Sequence, residues 1–289
     1  MAPENDPYGA SRVFDFVRSV LFVPANDERK WLRAFDSGAD AVILDLEDAI
    51  APAEKELARN SARMALAGRT SAAPLVLVRI NGLDTAWAQA DLAMVEGSGA
   101  DGIVVPKAEG ASLSRIPIGG LPVIAIIETA TGLQGVREVA THPRVCALLL
   151  GGADLSTELG LEHRPDGQEL LYARSHVVMA SAAAGLRSPI DVVHLDIRAD
   201  DALRAETLLA RSLGMGAKAC IHPGQVTVVN EVLTPSAAEV ASATDVVAVY
   251  AAALAEGTAV AVLNGKMIDL PLVLKAERTL SIAGALKAR

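Results

Sequence analysis

The chain has 289 residues, with 26 basic and 35 acidic side chains and a net charge of −9. That balance argues against general nucleic-acid or anionic-membrane binding, both of which need a positive face. A hydrophobic fraction of 51% with only 3% aromatics builds the core from Ala, Val, Leu and Ile, which suits strands covered on both faces by helices, and the length fits one large α/β domain.

Residues 1–17 are polar, with Pro3, Pro7 and no apolar signal region. They predict a flexible N-terminus and a cytoplasmic protein. Short β-rich runs follow at 19–23, 41–46, 75–80, 102–106, 123–128, 147–151, faintly at 188–192, and at 219–221. Between them the spacing predicts helices over Asp27–Asp36, Ala53–Ala67, Asp84–Glu96, Gly132–Ala140, Gln168–Ala184 and Asp200–Leu213, with Asp84 and Asp200 as N-caps. Eight strands alternating with helices favour a closed (β/α)8 TIM-type barrel over residues 18–234. An open sheet of seven or eight strands remains the alternative, because the seventh run is weak. Pro235 separates the barrel from a C-terminal helical segment and lid, 235–289, with helices over Ser236–Glu256 and from Leu272. The apolar stretch Val246–Leu263 is interrupted by Glu256 and Gly257 and does not read as a membrane span.

There is no glycine-rich dinucleotide or P-loop motif and no zinc-type His/Cys spacing. Cys146 and Cys220 sit in apolar contexts and are expected as buried thiols. His142, His163, His176 and His194 are scattered and read as surface or structural. Charges stand where apolar runs stop. In a barrel the C-terminal strand ends share one side, so Asp45, Arg79, Lys107, Glu128, Asp154 and His222 are expected to converge. Two carboxylates without histidines favour a hard cation such as Mg²⁺. Glu128 and Asp154 are the candidate pair; the plainer reading, two acids at helix N-termini, stays open.

The ordered set RSVLFVPAND, DLEDA, VRING, VVPK, AIIET, GGADLS, IHPGQ and GKMIDLP resembles the citrate lyase β-subunit-like branch of the HpcH/HpaI aldolase superfamily over about residues 18–280. The resemblance implies a TIM-type barrel, a Mg²⁺-dependent site, and carbon–carbon lysis of a 3-hydroxyacyl-CoA such as malyl-, citramalyl- or citryl-CoA. It puts Mg²⁺ on Glu128 and Asp154, places Arg79 on the substrate oxygen that gains charge, and puts Asp269 in a lid reaching a neighbouring subunit's site. A homo-oligomer, trimer or hexamer, is thereby implied. Two positions depart from the family pattern: Ala25 replaces the usual glycine of the first loop, and Asp48 stands where the neighbouring aldolase branch has histidine.

Asp45, Glu47 and Asp48 form an acidic cluster expected to orient metal waters and Arg79, with Asp45 and Asp48 counted among the catalytic groups. Asp269 is the candidate proton shuttle. Asn26 and Asn81, with Arg79 and Glu128, are the substrate-binding candidates. Arg29, Lys30, Arg33 and Lys107 are candidates for the CoA tail, and Lys218 and His222 for closing the site. Gly151 and Gly152 precede Asp154 and are expected to admit close backbone approach. Rival readings are a Schiff-base aldolase using Lys107, a thioesterase or malate synthase-like condensation at the same site, and a non-catalytic CoA-ester binder or a lyase subunit acting on a carrier-bound acyl group. No basic patch suited to a carrier protein is evident, so free CoA thioesters are preferred.

Overall fold

The computed structural model describes Phe14 and residues 16–70, 73–116 and 120–287. Most of the N-terminal segment expected to be flexible lies outside the described residues. The chain divides into two compact units, with the boundary between Leu233 and Thr234.

In the first unit eight parallel strands close a ring: β1 (Ser19–Pro24), β2 (Ala41–Asp45), β3 (Leu75–Arg79), β4 (Gly102–Val105), β5 (Val123–Ile127), β6 (Val145–Leu150), β7 (Ile190–Asp191) and β8 (Ala217–Cys220). The barrel therefore replaces the open-sheet alternative. Strand residues alternate between two cores, because successive side chains leave opposite faces of a sheet. Val20, Ala41, Ile43, Leu77, Val104, Ile124, Ile126, Ala147 and Leu149 fill the barrel interior beside Phe14 and Val17. Their neighbours, such as Val42, Leu44, Val76, Val78 and Ile127, pack outward against helices. That parity carries past the strand ends and aims Phe22, Asp45, Arg79 and Glu128 inward.

The surrounding helices are α1 (Glu28–Phe35), α2 (Lys55–Ala67), α3 (Ala88–Val95), α4 (Gly110–Leu113), α5 (Ala130–Gln134), α6 (Val136–Ala140), α7 (Gly152–Leu159), α8 (Leu171–Ala183), α9 (Asp200–Ser212) and α10 (Pro223–Leu233). Asp27 caps α1 by accepting from the Lys30 amide at 3.2 Å. Three expectations need correction. Asp84 is no cap: Thr85 folds back on the Gly82 carbonyl through both its amide and its hydroxyl, so α3 starts only at Ala88. Asp200 lies in the first turn of α9, behind Ala199 as cap. The span Gly132–Ala140 is two short helices, broken at Gly135.

The second unit holds α11 (Ala237–Ala255), a hairpin of β9 (Ala261–Leu263) and β10 (Lys266–Ile268), and α12 (Leu270–Lys287). Ser236 and Glu239 form a capping box that opens α11. Asn264 and Gly265 both take positive φ, 52° and 76°, as a two-residue hairpin turn of mirror type requires. A small core of Tyr250, Ala253, Ala261, Ile268 and Val273 joins these elements. The stretch Pro223–Ala255 is long and apolar enough by composition to cross a bilayer, but it consists of two helices parted by Pro235.

Candidate active site

Arg79 ends β3 directly opposite Asp45 at the end of β2. Its Nε and Nη2 donate to the two Asp45 carboxylate oxygens at 2.7 and 2.6 Å, the planar fork-to-fork pairing that lysine cannot reproduce. Asp45 also accepts from the amides of Glu47 and Ala49 at 2.9 and 3.2 Å. Its oxygens are thus committed to fixing the guanidinium and the acidic loop. Below, the Phe22 ring lies 5.1 Å from the Arg79 guanidinium carbon. Nη1 keeps only a 3.5 Å bond to Asp48 and a 2.8 Å contact with Glu47 Oε2. That Glu47 oxygen is buried and accepts no aligned hydrogen bond. Burial works against the guanidinium's charge, but Asp45 with Glu47 and Asp48 outweighs it and raises the Arg79 pKa further.

The acidic loop is braced from beneath by a lysine that sequence reasoning missed. Lys55, on the first turn of α2 and buried, donates to the carbonyls of Leu46 and Glu47 at 2.8 and 2.7 Å and to Asn81 Oδ1 at 2.6 Å. Asn81 in turn donates to Asp91 at 2.6 Å, and Arg59 pairs with the same carboxylate at 3.0 Å. This corrects one expectation: Asn81 is consumed in a buried brace and is not presented to a ligand. The available signal was Lys55 standing on the apolar face of an otherwise amphipathic helix.

Glu128 follows β5, is buried, and accepts from the Lys107 amide at 2.8 Å. Lys107 holds φ at 47°, a left-handed conformation uncommon for a residue with a Cβ, and this turns its N–H onto Glu128. Gly151 leaves room for Glu128, since a Cβ there would fall 2.4 Å from Glu128 Cβ and 2.6 Å from Oε2. Asp154 lies in the first turn of α7, exposed, and lines the same cavity. Burial, reinforced by the Asp154 charge against the Lys107 amide, pushes the Glu128 carboxyl up to about 7. Burial and the surrounding acids raise Glu47 to about 8 against the pull of Arg79.

These residues meet in a cavity of about 440 Å³ lined by Phe22, Asp45, Asp48, Arg79, Ile126, Glu128, Leu149, Asp154, Val193 and Ile221. A larger cavity of about 750 Å³ runs along α3 outside the barrel, but its walls are mostly apolar and it lacks the carboxylate pair. The smaller one is therefore the candidate active site. Among the described residues no group of three or more His, Cys, Asp or Glu side chains is placed to hold a metal. The donor set is two carboxylates, which suits an ion that keeps water and takes substrate oxygens. The raised pKa values of Glu47 and Glu128, both caused first by burial, are what a nearby divalent charge would relieve.

The remaining candidates separate. Asn26 donates to Glu54 at 2.9 Å and lines, with Asp27, Arg29 and Lys30, a groove that shares Pro24 and Ala49 with the main cavity. Arg33 is exposed on α1 and does not line that groove. Lys107, half exposed, lines an adjoining depression with Glu128, Thr129 and Asp154. Lys218 does not help close the site: Ala217 and Ala219 take the inward positions of β8, so Lys218 points outward and is sealed against Asp191 at 2.9 Å. His222 is exposed and does not line the cavity; its Nδ1 accepts from the Gly224 amide at 3.1 Å at the start of α10. Cys220 is buried, which pushes its thiol up to about 12, and both cysteines are free. Asp269 lies between β10 and α12 in the second unit, where its carbonyl accepts from the Val273 amide.

A closed parallel barrel with acids and a guanidinium gathered at its C-terminal strand ends defines an α/β-barrel enzyme. The chain belongs to the HpcH/HpaI aldolase/citrate lyase family, whose sequence profile spans residues 18–223. It is 37% identical over 276 residues to a (3S)-malyl-CoA thioesterase of Cereibacter sphaeroides, covering 94% of this chain and 96% of that one. It is 34% identical over 283 residues to the citrate lyase subunit beta of Leuconostoc mesenteroides subsp. cremoris, covering 93% of each. Among solved structures, the protein CitE of Mycobacterium tuberculosis, in complex with magnesium, acetoacetate and coenzyme A, matches with a TM-score of 0.79 and 33% identity over 93% of this chain and 98% of that one.

Proposed function

We propose that the protein is a Mg²⁺-dependent carbon–carbon lyase that cleaves a 3-hydroxyacyl-CoA thioester to acetyl-CoA and a 2-keto acid. The observation that carries this reading is the fixed Arg79 guanidinium in one cavity with Glu128 and Asp154. Glu128 and Asp154 would hold the ion, and Asp48 and Glu47 would orient water beside it. When bound, magnesium supplies Lewis-acid polarisation of the substrate's hydroxyl and carboxylate.

In the bond-breaking step the hydroxyl proton leaves to a base and the oxygen lone pair forms the keto group. The Cα–Cβ electron pair then moves onto the thioester oxygen as an enolate. Arg79 meets that oxygen with Nη1, the nitrogen not clasped by Asp45, in a site organised before the charge appears. Proton return to the enolate carbon gives acetyl-CoA. Asp269 is the group assigned to the proton transfers, contributed by a neighbouring copy in a trimer or hexamer. Its carboxylate has no hydrogen-bond or ion-pair partner among the described residues. The CoA tail follows the groove of Asn26, Arg29 and Lys30.

The cavity also favours one acyl class. Arg79 is its one lining cation among the described residues, and the wall beyond it is Phe22, Ile126, Leu149 and Val193. A second carboxylate on the keto-acid half would meet apolar side chains without a partner, which costs several kcal/mol. Malyl- or citramalyl-CoA therefore fits better than citryl-CoA. A thioesterase using the same residues is the second reading, favoured by the name of the Cereibacter relative.

Purified protein with Mg²⁺ and each of the three thioesters decides among these. Acetyl-CoA and a keto acid released in equal amounts support lysis. Free CoA with intact malate or citramalate supports hydrolysis. Full turnover in EDTA would rule out both forms of the reading.

A further inference from the structure

We infer that Gln225 is a positioning residue for this reaction: it clasps the exits of β7 and β8 and, through Val192, fixes the end of α7 that carries Asp154. The inference rests on the proposed role of Glu128 and Asp154 as the metal pair.

The need for a clasp follows from the ladder. β7 contributes one residue pair to β6, Leu149 with Ile190, and two to β8, Ile190 with Ala217 and Asp191 with Lys218. Past Asp191 the sheet supplies nothing more, yet Val193 forms a wall of the cavity and must stay in place. Side chains take over the missing ladder bonds. Lys218 Nζ donates to the Val192 carbonyl at 3.0 Å, and Gln225 Nε2 donates to the His194 carbonyl at 2.8 Å. At its other end Gln225 Oε1 accepts from the amides of Ile221 and His222 at 2.9 and 3.3 Å. One buried amide therefore ties two strand exits, each with a cavity-lining residue, Val193 on one and Ile221 on the other.

The clasp extends to the metal pair by packing. Val192 lies so close to Gly152 that a Cβ on that glycine would fall 2.6 Å from Val192 Cγ1. Gly152 opens α7, and Asp154 lies two residues further on. Displacing the 192–194 strand exit therefore moves the surface against which the Asp154-bearing turn is seated. Gln225 touches no reacting atom. Its effect passes through backbone position.

The test uses full-length protein and two variants. Q225M removes both halves of the clasp at nearly constant volume, whereas Q225E keeps the acceptor half and loses the donor to His194. Calorimetric titration with Mg²⁺ alone is expected to show Kd raised about tenfold or more in Q225M, with Q225E in between. Amide exchange of 152–155 is expected to quicken in the same order without metal, and the thioester KM to rise with Kd. Variants that lower the melting temperature while leaving Kd and KM within twofold of the parent overturn the inference, leaving Gln225 a structural residue only. Should Q225M fail to fold, Q225E and V192A carry the comparison, since V192A loosens the same seat directly. A parent that binds Mg²⁺ but turns over no thioester, with binding weakened in Q225M, defeats the proposed function while sustaining the clasp. A parent that binds no Mg²⁺ overturns both.

Discussion

Lys107 offers a quantitative test of how the metal-side acid is held. Its φ of 47° points the amide at Glu128 Oε1, 2.8 Å away, at the expense of left-handed backbone in a residue with a Cβ. Such a conformation costs an L-residue roughly 1–2 kcal/mol. Glycine avoids that cost but recovers about 0.5–1 kcal/mol of extra freedom in the unfolded chain. The side chain adds little, being half exposed with its amine 3.9 Å from Glu47. K107G is therefore expected to be more stable than K107A by about 0.5–1 kcal/mol, about 2 °C in Tm for a barrel of this size. Because both variants keep the N–H on Glu128, their Mg²⁺ affinity is expected to match the parent's within about twofold. Differential scanning calorimetry and Mg²⁺ titration read the two quantities. A K107G no more stable than K107A, or one with weakened metal affinity, would refute the view that the strained backbone alone presents the amide.

Replacing Arg79 by lysine loses the paired bonds to Asp45. It is expected to lower kcat/KM at least about 100-fold while Mg²⁺ affinity changes little, as steady-state kinetics beside calorimetry would show. Lys55→Met strands the carbonyls of Leu46 and Glu47 and the Asn81 oxygen; a loss of about 3 kcal/mol or more is expected in urea unfolding. The raised carboxyls of Glu47 and Glu128, about 8 and about 7, give metal-free protein a distinct pH response. The native state binds more protons than the unfolded chain between pH 4.5 and 8, so stability in EDTA is expected to fall as pH rises through that window. Mg²⁺ should restore it most at the upper end and release protons on binding near pH 7, visible as buffer-dependent binding heats. A melting temperature in EDTA that rises across the window contradicts this.

Much of this was legible because barrel strands are apolar on both faces and end abruptly in charge. Residue parity went further than the apolar runs. Leu77 faces inward, so Arg79 does too, and Ile124 and Ile126 place Glu128 by the same rule. Applied to Ala217 and Ala219, it would have turned Lys218 away from the cavity. Asn81 escaped it because the chain has already left β3, and its partners Lys55 and Asp91 come from two helices. The hairpin at Asn264-Gly265 carries a strong local signal, an Asn-Gly pair between the short runs Ala261–Leu263 and Lys266–Ile268. The faint seventh strand reflected the molecule faithfully. Its order depends on Lys218 and Gln225, remote in sequence from 188–192.

That two-residue strand has a consequence for how the ring gives way. Seven staves are joined by backbone along their length, whereas the eighth is pinned by an ammonium, an amide and an imidazole on Glu206. The first fluctuation to breach the cylinder should part there, between β6 and β7, and expose the Leu149 wall while the opposite arc stays shut. An opening of that kind lies beside the cavity itself, so thermal breathing of the scaffold and admission of a bulky acyl chain would share one hinge.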